Sequence, residues 1–192
     1  MQEKTKSHVY RNTMDRWEVY RRAGMLPSTS QDCWLEYPWG KEGALESIQD
    51  IEDEVECCDY SKSGKWLLYY NLEELDAKWK QACEAFETGE SKHVHHLRIG
   101  TWIPNFGAPQ GKRCIVLFCD SEDPVTIIEA GLSIVKIMKY MSCCYYKTNA
   151  QSKQAHNPQA KKFTYYLRPE MHNADPDWII HRFFPSPAED LV

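Results

Sequence analysis

Residues 63–90 read SGKWLLYYNLEELDAKWKQACEAFETGE, and their pattern decides the fold. KWLLYY at 65–70 is rich in aliphatic and aromatic residues and predicts a strand. Asn71 then offers a helix N-cap, with Glu74 three residues later as its reciprocal partner. Leu72, Leu75, Trp79, Cys83 and Phe86 recur on one face at helical spacing, and Gly89 is placed to stop the helix.

Further along the chain the same two periods alternate. A strand is expected from Val94 to Ile103, and the Pro/Gly-rich PNFGAPQG turns it into another at 114–119. Asp123 and Pro124 suit the N-cap and first turn of a second long helix, to about Met141. Two more strands, 143–148 and 162–168, are separated by the polar loop NAQSKQAHNPQAK. Toward the N-terminus, Asn12 or Thr13 caps a short helix ending at Gly24, and CWLEY at 33–37 reads as a short strand. Leu45, Ile48, Ile51 and Val55 mark an amphipathic helix with an acidic outer face.

The order from Lys65 is therefore strand, helix, strand, strand, helix, strand, strand. That mixture of hairpins and crossovers implies an α+β domain, a mainly antiparallel sheet with helices packed on one face. The other face is then water-facing or a binding surface. The organisation expected is an N-terminal extension over 1–62 packed on the core, a core domain over 63–184, and a frayed tail over 185–192.

The 192 residues are 42% hydrophobic, 27% charged and 12% aromatic, which excludes a disordered tail protein. No apolar run approaches the ~20 residues of a membrane-spanning helix, and the N-terminus has no apolar signal core. Eight cysteines include two vicinal pairs and no CxxC, a pattern of reduced thiols rather than a disulfide framework or a structural zinc site. A cytoplasmic or nuclear location is expected, with no membrane, metal or cofactor. His93, His95 and His96 do not alter this, because strand alternation separates His96 from the other two.

Charge is unevenly spread. Residues 1–60 carry 13 acids and 7 bases, whereas 130–169 carry 7 bases and no acid. Such a stretch creates a local positive field able to attract an anion even though the net charge is −5.

Alternation sorts each strand into two faces. Leu97, Ile99, Thr101 and Ile103 point one way, and His96, Arg98 and Trp102 the other. Phe163, Tyr165 and Leu167 face the core, leaving Lys162, Thr164, Tyr166 and Arg168 opposite. Tyr145 and Lys147 share a face. Cations interleaved with aromatic rings suit a ligand with phosphates and a flat ring, since the cations neutralise phosphate oxygens and the rings stack on bases. The alternative is that Trp102 and Tyr166 roof the sheet while lysine stems lie over it. Trp34 and Glu36, two apart on one strand, form a second pattern able to stack on guanine and accept its hydrogens. No Walker loop or dinucleotide fingerprint is present.

The stretch from Ser63 resembles the uncharacterised basophilic leukaemia-expressed protein family, with its GKWL strand, a Leu-Asp followed by Trp, and a closing glycine. GKRCIVLFCDSEDP and CCYYKTN continue the likeness, YKTN standing where that family shows Tyr-Lys-Pro-Asp. The resemblance covers about residues 63–149. It implies a fold similar to the cap-binding translation initiation factor 4E family, a curved antiparallel sheet backed by helices. By this resemblance Arg98 and Lys112 fall near the positions that hold cap phosphates, and Trp34 and Trp102 are candidates for cap stacking. A fainter similarity to phosphothreonine lyases would make Lys112 or Lys147 a base for elimination of phosphate, with Cys114 near the place of that family's catalytic histidine.

The function expected is binding of a phosphorylated ligand, a nucleotide, an mRNA cap-like group or an RNA 5′ end, on the concave sheet face. Arg98, Lys112, Lys147, Lys162 and Arg168 would contact phosphate, and Trp102 and Tyr166 would stack. The alternatives are a lyase-like enzyme on a phosphorylated substrate and a protein-interaction module with a partner on the helical face.

Overall fold

The computed structural model describes residues 26–30, 34–37, 64–103, 109–119, 121–153 and 163–185. Six strands make one sheet: β1 (Trp34–Tyr37), β2 (Gly64–Asn71), β3 (Val94–Gly100), β4 (Lys112–Cys119), β5 (Cys144–Thr148) and β6 (Tyr165–Leu167). Their order is β1-β3-β4-β2-β5-β6, and every neighbouring pair is antiparallel. With them run α1 (Leu75–Glu87), α2 (Pro124–Ile137), the short α3 (Asn149–Lys153) and α4 (Pro176–Phe183). This is the α+β architecture that the element order implies.

Paired residues on adjacent strands point the same way, so register carries a face across the sheet. Trp66 and Leu68 pair with Leu117 and Ile115, which pair with Leu97 and Ile99, which pair with Tyr37 and Leu35. On the other side Trp66 pairs with Tyr146, and Tyr146 with Tyr165. All of these except Tyr165 are buried.

Helices cover this face. The Trp66 indole donates to the Ile127 carbonyl of α2 at 3.0 Å, and Trp79 of α1 meets Tyr37 edge-on at 6.4 Å. Gln81 and Lys78 of α1 donate to the carbonyls of Ile137 and Met138 at 2.8 and 3.2 Å, joining the two long helices. Each large apolar side chain sealed here contributes about 1.5–3 kcal/mol relative to exposure.

The helix signals act as the residues suggest. The Asn71 backbone N–H and side-chain amide both donate to Glu74 Oε2, at 3.3 and 3.0 Å, and a single 3-10 turn leads into α1. Gly89, at φ +75°, sits in the left-handed region just past its end. Asp123 Oδ2 accepts from the Thr126 N–H at 2.9 Å and its hydroxyl at 2.6 Å, with Pro124 opening α2. That helix ends at Ile137, short of Met141. Lys139 turns left-handed at φ 47°, and the Tyr140 N–H folds back to the Val135 carbonyl at 2.9 Å.

Other expectations change as well. β3 stops at Gly100 rather than Ile103, because Trp102 is drawn off the sheet: its N–H donates to the Pro27 carbonyl at 3.0 Å and its indole to the Ser30 carbonyl at 2.9 Å. The last strand shrinks from 162–168 to Tyr165–Leu167 behind a bend at Thr164. Helix α4, not anticipated, starts at Asp175-Pro176, where the Asp175 carboxylate accepts from the Trp178 N–H at 3.1 Å. β1, from the segment expected as an extension, is an edge strand of the same sheet. The helices expected before Gly24 and around 44–55, and the tail after residue 185, lie outside the described residues. No described helix is long and apolar enough to cross a membrane.

Candidate functional site

The second face follows from the same register. One row across the sheet holds His96 (β3), Phe118 (β4), Lys65 (β2) and Lys147 (β5). The next holds Arg98 (β3), Val116 (β4), Leu67 (β2), Tyr145 (β5) and Tyr166 (β6), with Glu36 of β1 opposite Arg98 in register. The middle of this face is sealed, Cys114 and Val116 exposing only 6% and 5%. Around it stand half-buried cations and rings.

Lys65, on β2, stands between Phe118 and Lys147. Its ammonium is 5.4 Å from the centre of the Phe118 ring and donates to Asn149 Oδ1 at 3.3 Å. The Arg98 guanidinium packs on the same Phe118 ring at 5.8 Å and on Trp34 at 5.6 Å. Each such contact contributes about 0.5–1 kcal/mol at a partly exposed site. Burial, then the charges of Arg98 and Lys147, push the Lys65 amine below the ordinary lysine range, against a small opposing pull from Cys114. On adjacent strands Lys65 and Lys147 are ~5 Å apart in backbone, while Arg98, two strands over and two residues along, is ~12 Å from Lys65.

The aromatic side of the face lies over β5 and β6. Tyr145 stacks on Phe163 with centroids 4.3 Å apart and planes at 26°. Phe163 therefore does not face the core as alternation predicts, because the bend at Thr164 breaks the strand's period before it. Tyr166 carries the Arg168 guanidinium at 5.0 Å, and Phe184 closes edge-on against it at 5.0 Å. Arg168 also pairs with Glu170 at 3.9 Å.

Of the residues singled out from sequence, Arg98, Lys147 and Tyr166 share this face, with Arg168 at its edge. By alternation Lys112 has the same facing, but it lies apart from them. It pairs with Asn71 at the far end of β2, six residues from Lys65, or ~20 Å along the strand. Lys112 and Lys147 are therefore too far apart to act together on one substrate atom. Trp102 is held in the corner by residues 26–30, and Lys162 lies outside the described residues.

Two features escaped the alternation argument. A β-bulge between Val94 and His96 brings both His95 and His96 against Phe118, at 6.3 and 5.2 Å, whereas His93 pairs with Glu129 of α2 at 3.3 Å. Among the described residues no cluster of histidine, cysteine and carboxylate side chains is arranged to hold a metal. The second is Lys65, whose place follows from extending the KWLLYY alternation to its first residue.

Arg113, on the core face, is a buried cation that organises the neighbouring corner. It donates to the carbonyls of Thr101, Lys112 and Trp102 at 2.6, 2.7 and 2.9 Å. On the helical side a cleft of about 620 Å³ runs between the end of α1, α2 and residues 172–176, lined by Lys92, Glu129, Lys136 and His172.

No protein-family model and no curated protein matches this chain, so the basophilic leukaemia-expressed resemblance has no family match behind it. Solved structures similar to it include Ascaris suum eIF4E-3 in complex with the m7G cap, at 12% identity over 80% of this chain and 78% of that one, TM-score 0.49. Schistosome eIF4E complexed with m7GpppG and 4E-BP is similar at 12% identity over 71% of this chain and 97% of that one, TM-score 0.46. C. elegans eIF4E-3 with the 4E-binding protein Mextli and a cap analog is similar at 14% identity over 80% and 79%, TM-score 0.43.

Proposed function

We propose that the sheet face opposite the helices binds a phosphorylated ligand with a flat ring, a nucleotide or the 5′ end of an RNA. The observation that carries this reading is the set Lys65, Lys147 and Arg98 on one half-buried face. Like charges directly opposite each other on neighbouring strands are destabilising. A phosphate seated between the two ammonium groups turns that repulsion into charge-assisted hydrogen bonds. The ~12 Å from Lys65 to Arg98 suits a chain of two or three phosphates better than one. Stacking on the Tyr145–Phe163 side or on Trp34 would add about 1–3 kcal/mol per base.

The test is thermal unfolding in the presence of inorganic pyrophosphate, guanosine triphosphate, a methylated cap analogue and a short 5′-triphosphate RNA. At 100 times its dissociation constant a ligand adds about 2.7 kcal/mol to stability. Stabilisation by the nucleotides beyond that of pyrophosphate supports a site with both phosphate and ring contacts. An unchanged melting temperature with all four would overturn the proposal.

A further inference from the structure

The environment of Lys65 is that of a reactive amine as well as of a phosphate contact. Lysines become nucleophiles at neutral pH when they are desolvated or set beside other cations, and Lys65 meets both conditions. It stands on a central strand beside the sealed Val116 and Cys114 floor, with Phe118 against its ammonium, Lys147 directly opposite and Arg98 two strands away. Asn149 Oδ1, at 3.3 Å, accepts one of its hydrogens and so orients the nitrogen. The depressed pKa of the amine accords with this geometry.

We infer that Lys65 is a nucleophile and that this face captures phosphorylated aldehydes and ketones as imines, their phosphate held by Lys147 and Arg98. This rests on the proposed function only in taking the face as an anion site. In the reaction the unprotonated Nζ adds to the carbonyl carbon and the carbonyl oxygen takes up a proton. The carbinolamine then loses water, its hydroxyl leaving with the remaining N–H proton, and a C=N bond forms. No oxidant or reductant is needed.

The probe is pyridoxal 5′-phosphate at neutral pH, with pyridoxal as the phosphate-free control, borohydride reduction to fix any imine, and peptide mapping of the adducts. The expected result is a dominant adduct on Lys65, suppressed by inorganic pyrophosphate and weaker with pyridoxal. Lys65→Arg, which keeps the charge, should lose that adduct while still binding pyrophosphate by calorimetry. A dominant Lys65 adduct formed equally by both aldehydes and untouched by pyrophosphate would support the nucleophile and count against the anion site. Labelling of Lys65 no greater than that of the exposed Lys112 would overturn the inference. Calorimetry with pyrophosphate then decides separately whether the anion site stands.

Discussion

Lys65 and Lys147 are directly paired on β2 and β5, two ammonium side chains on one face of the sheet with no strand between them. Burial, then the charges of Arg98 and Lys147, disfavours the charged form of the Lys65 amine.

Replacing one member should therefore stabilise the protein while removing function. Lys65→Met is expected to gain about 0.2–1 kcal/mol at pH 7, the scale of a cross-strand charge pair, and the gain should shrink in 1 M salt. Because the folded-state pKa of Lys65 lies below its unfolded value of 10.5, the unfolded chain binds more protons between the two. Wild-type stability should then rise relative to Lys65→Met as the pH increases from 7 towards 10. Urea unfolding of both proteins across that range measures the difference.

Gly131 of α2 has no room for a side chain. A Cβ there would meet Trp66 Cζ2 and Cε2 at 2.5 and 2.6 Å and Leu167 Cδ1 at 2.7 Å. Both neighbours are fully buried. Gly131→Ala should cost about 1–3 kcal/mol by overpacking, read as a lower urea midpoint with a shifted tryptophan emission.

Arg113→Met should cost a comparable amount, about 1–3 kcal/mol, because the Thr101 and Trp102 carbonyls lose their donor. Hydrogen exchange should speed up at Trp102, whose N–H donates to Pro27 within the same corner. Exchange at Trp102 unchanged from wild type would contradict the anchoring role.

The described cysteines divide by burial. Burial pushes the Cys114 thiol up to about 12 and raises Cys83 and Cys144 as well. Cys143 is only partly buried. Among these four, iodoacetamide at pH 8 should alkylate Cys143 first in the native protein, and the others only on unfolding, as peptide mapping will show.

What was legible in the sequence was what local pattern encodes. The alternation of KWLLYY and CCYYKT, the Asn71–Glu74 box and the Asp123-Pro124 cap each appear in the structure near their expected places. The Asp175-Pro176 start of α4 carries the same signature as Asp123-Pro124 and was equally readable. Trp102 was not, since bonds to Pro27 and Ser30, more than 70 residues away in sequence, take it off the strand. Phe163 and His95 depend on a bend and a bulge that shift the period by one residue, which changes the facing of residues beyond the regular strand. The site divides the same way: Arg98, Lys147 and Tyr166 follow from alternation, while the distance of Lys112 from them follows only from register.

The most direct test of the phosphate-binding face is a calorimetric titration of guanosine triphosphate into the wild type, Arg98→Ala, Lys147→Ala and Lys112→Ala. Removing one charge-assisted hydrogen bond to phosphate should cost about 1.5–3 kcal/mol. Arg98→Ala and Lys147→Ala should therefore weaken binding by about 10- to 100-fold, and Lys112→Ala should bind as the wild type does. Equal affinity of all four proteins, or a weakening confined to Lys112→Ala, would contradict the account.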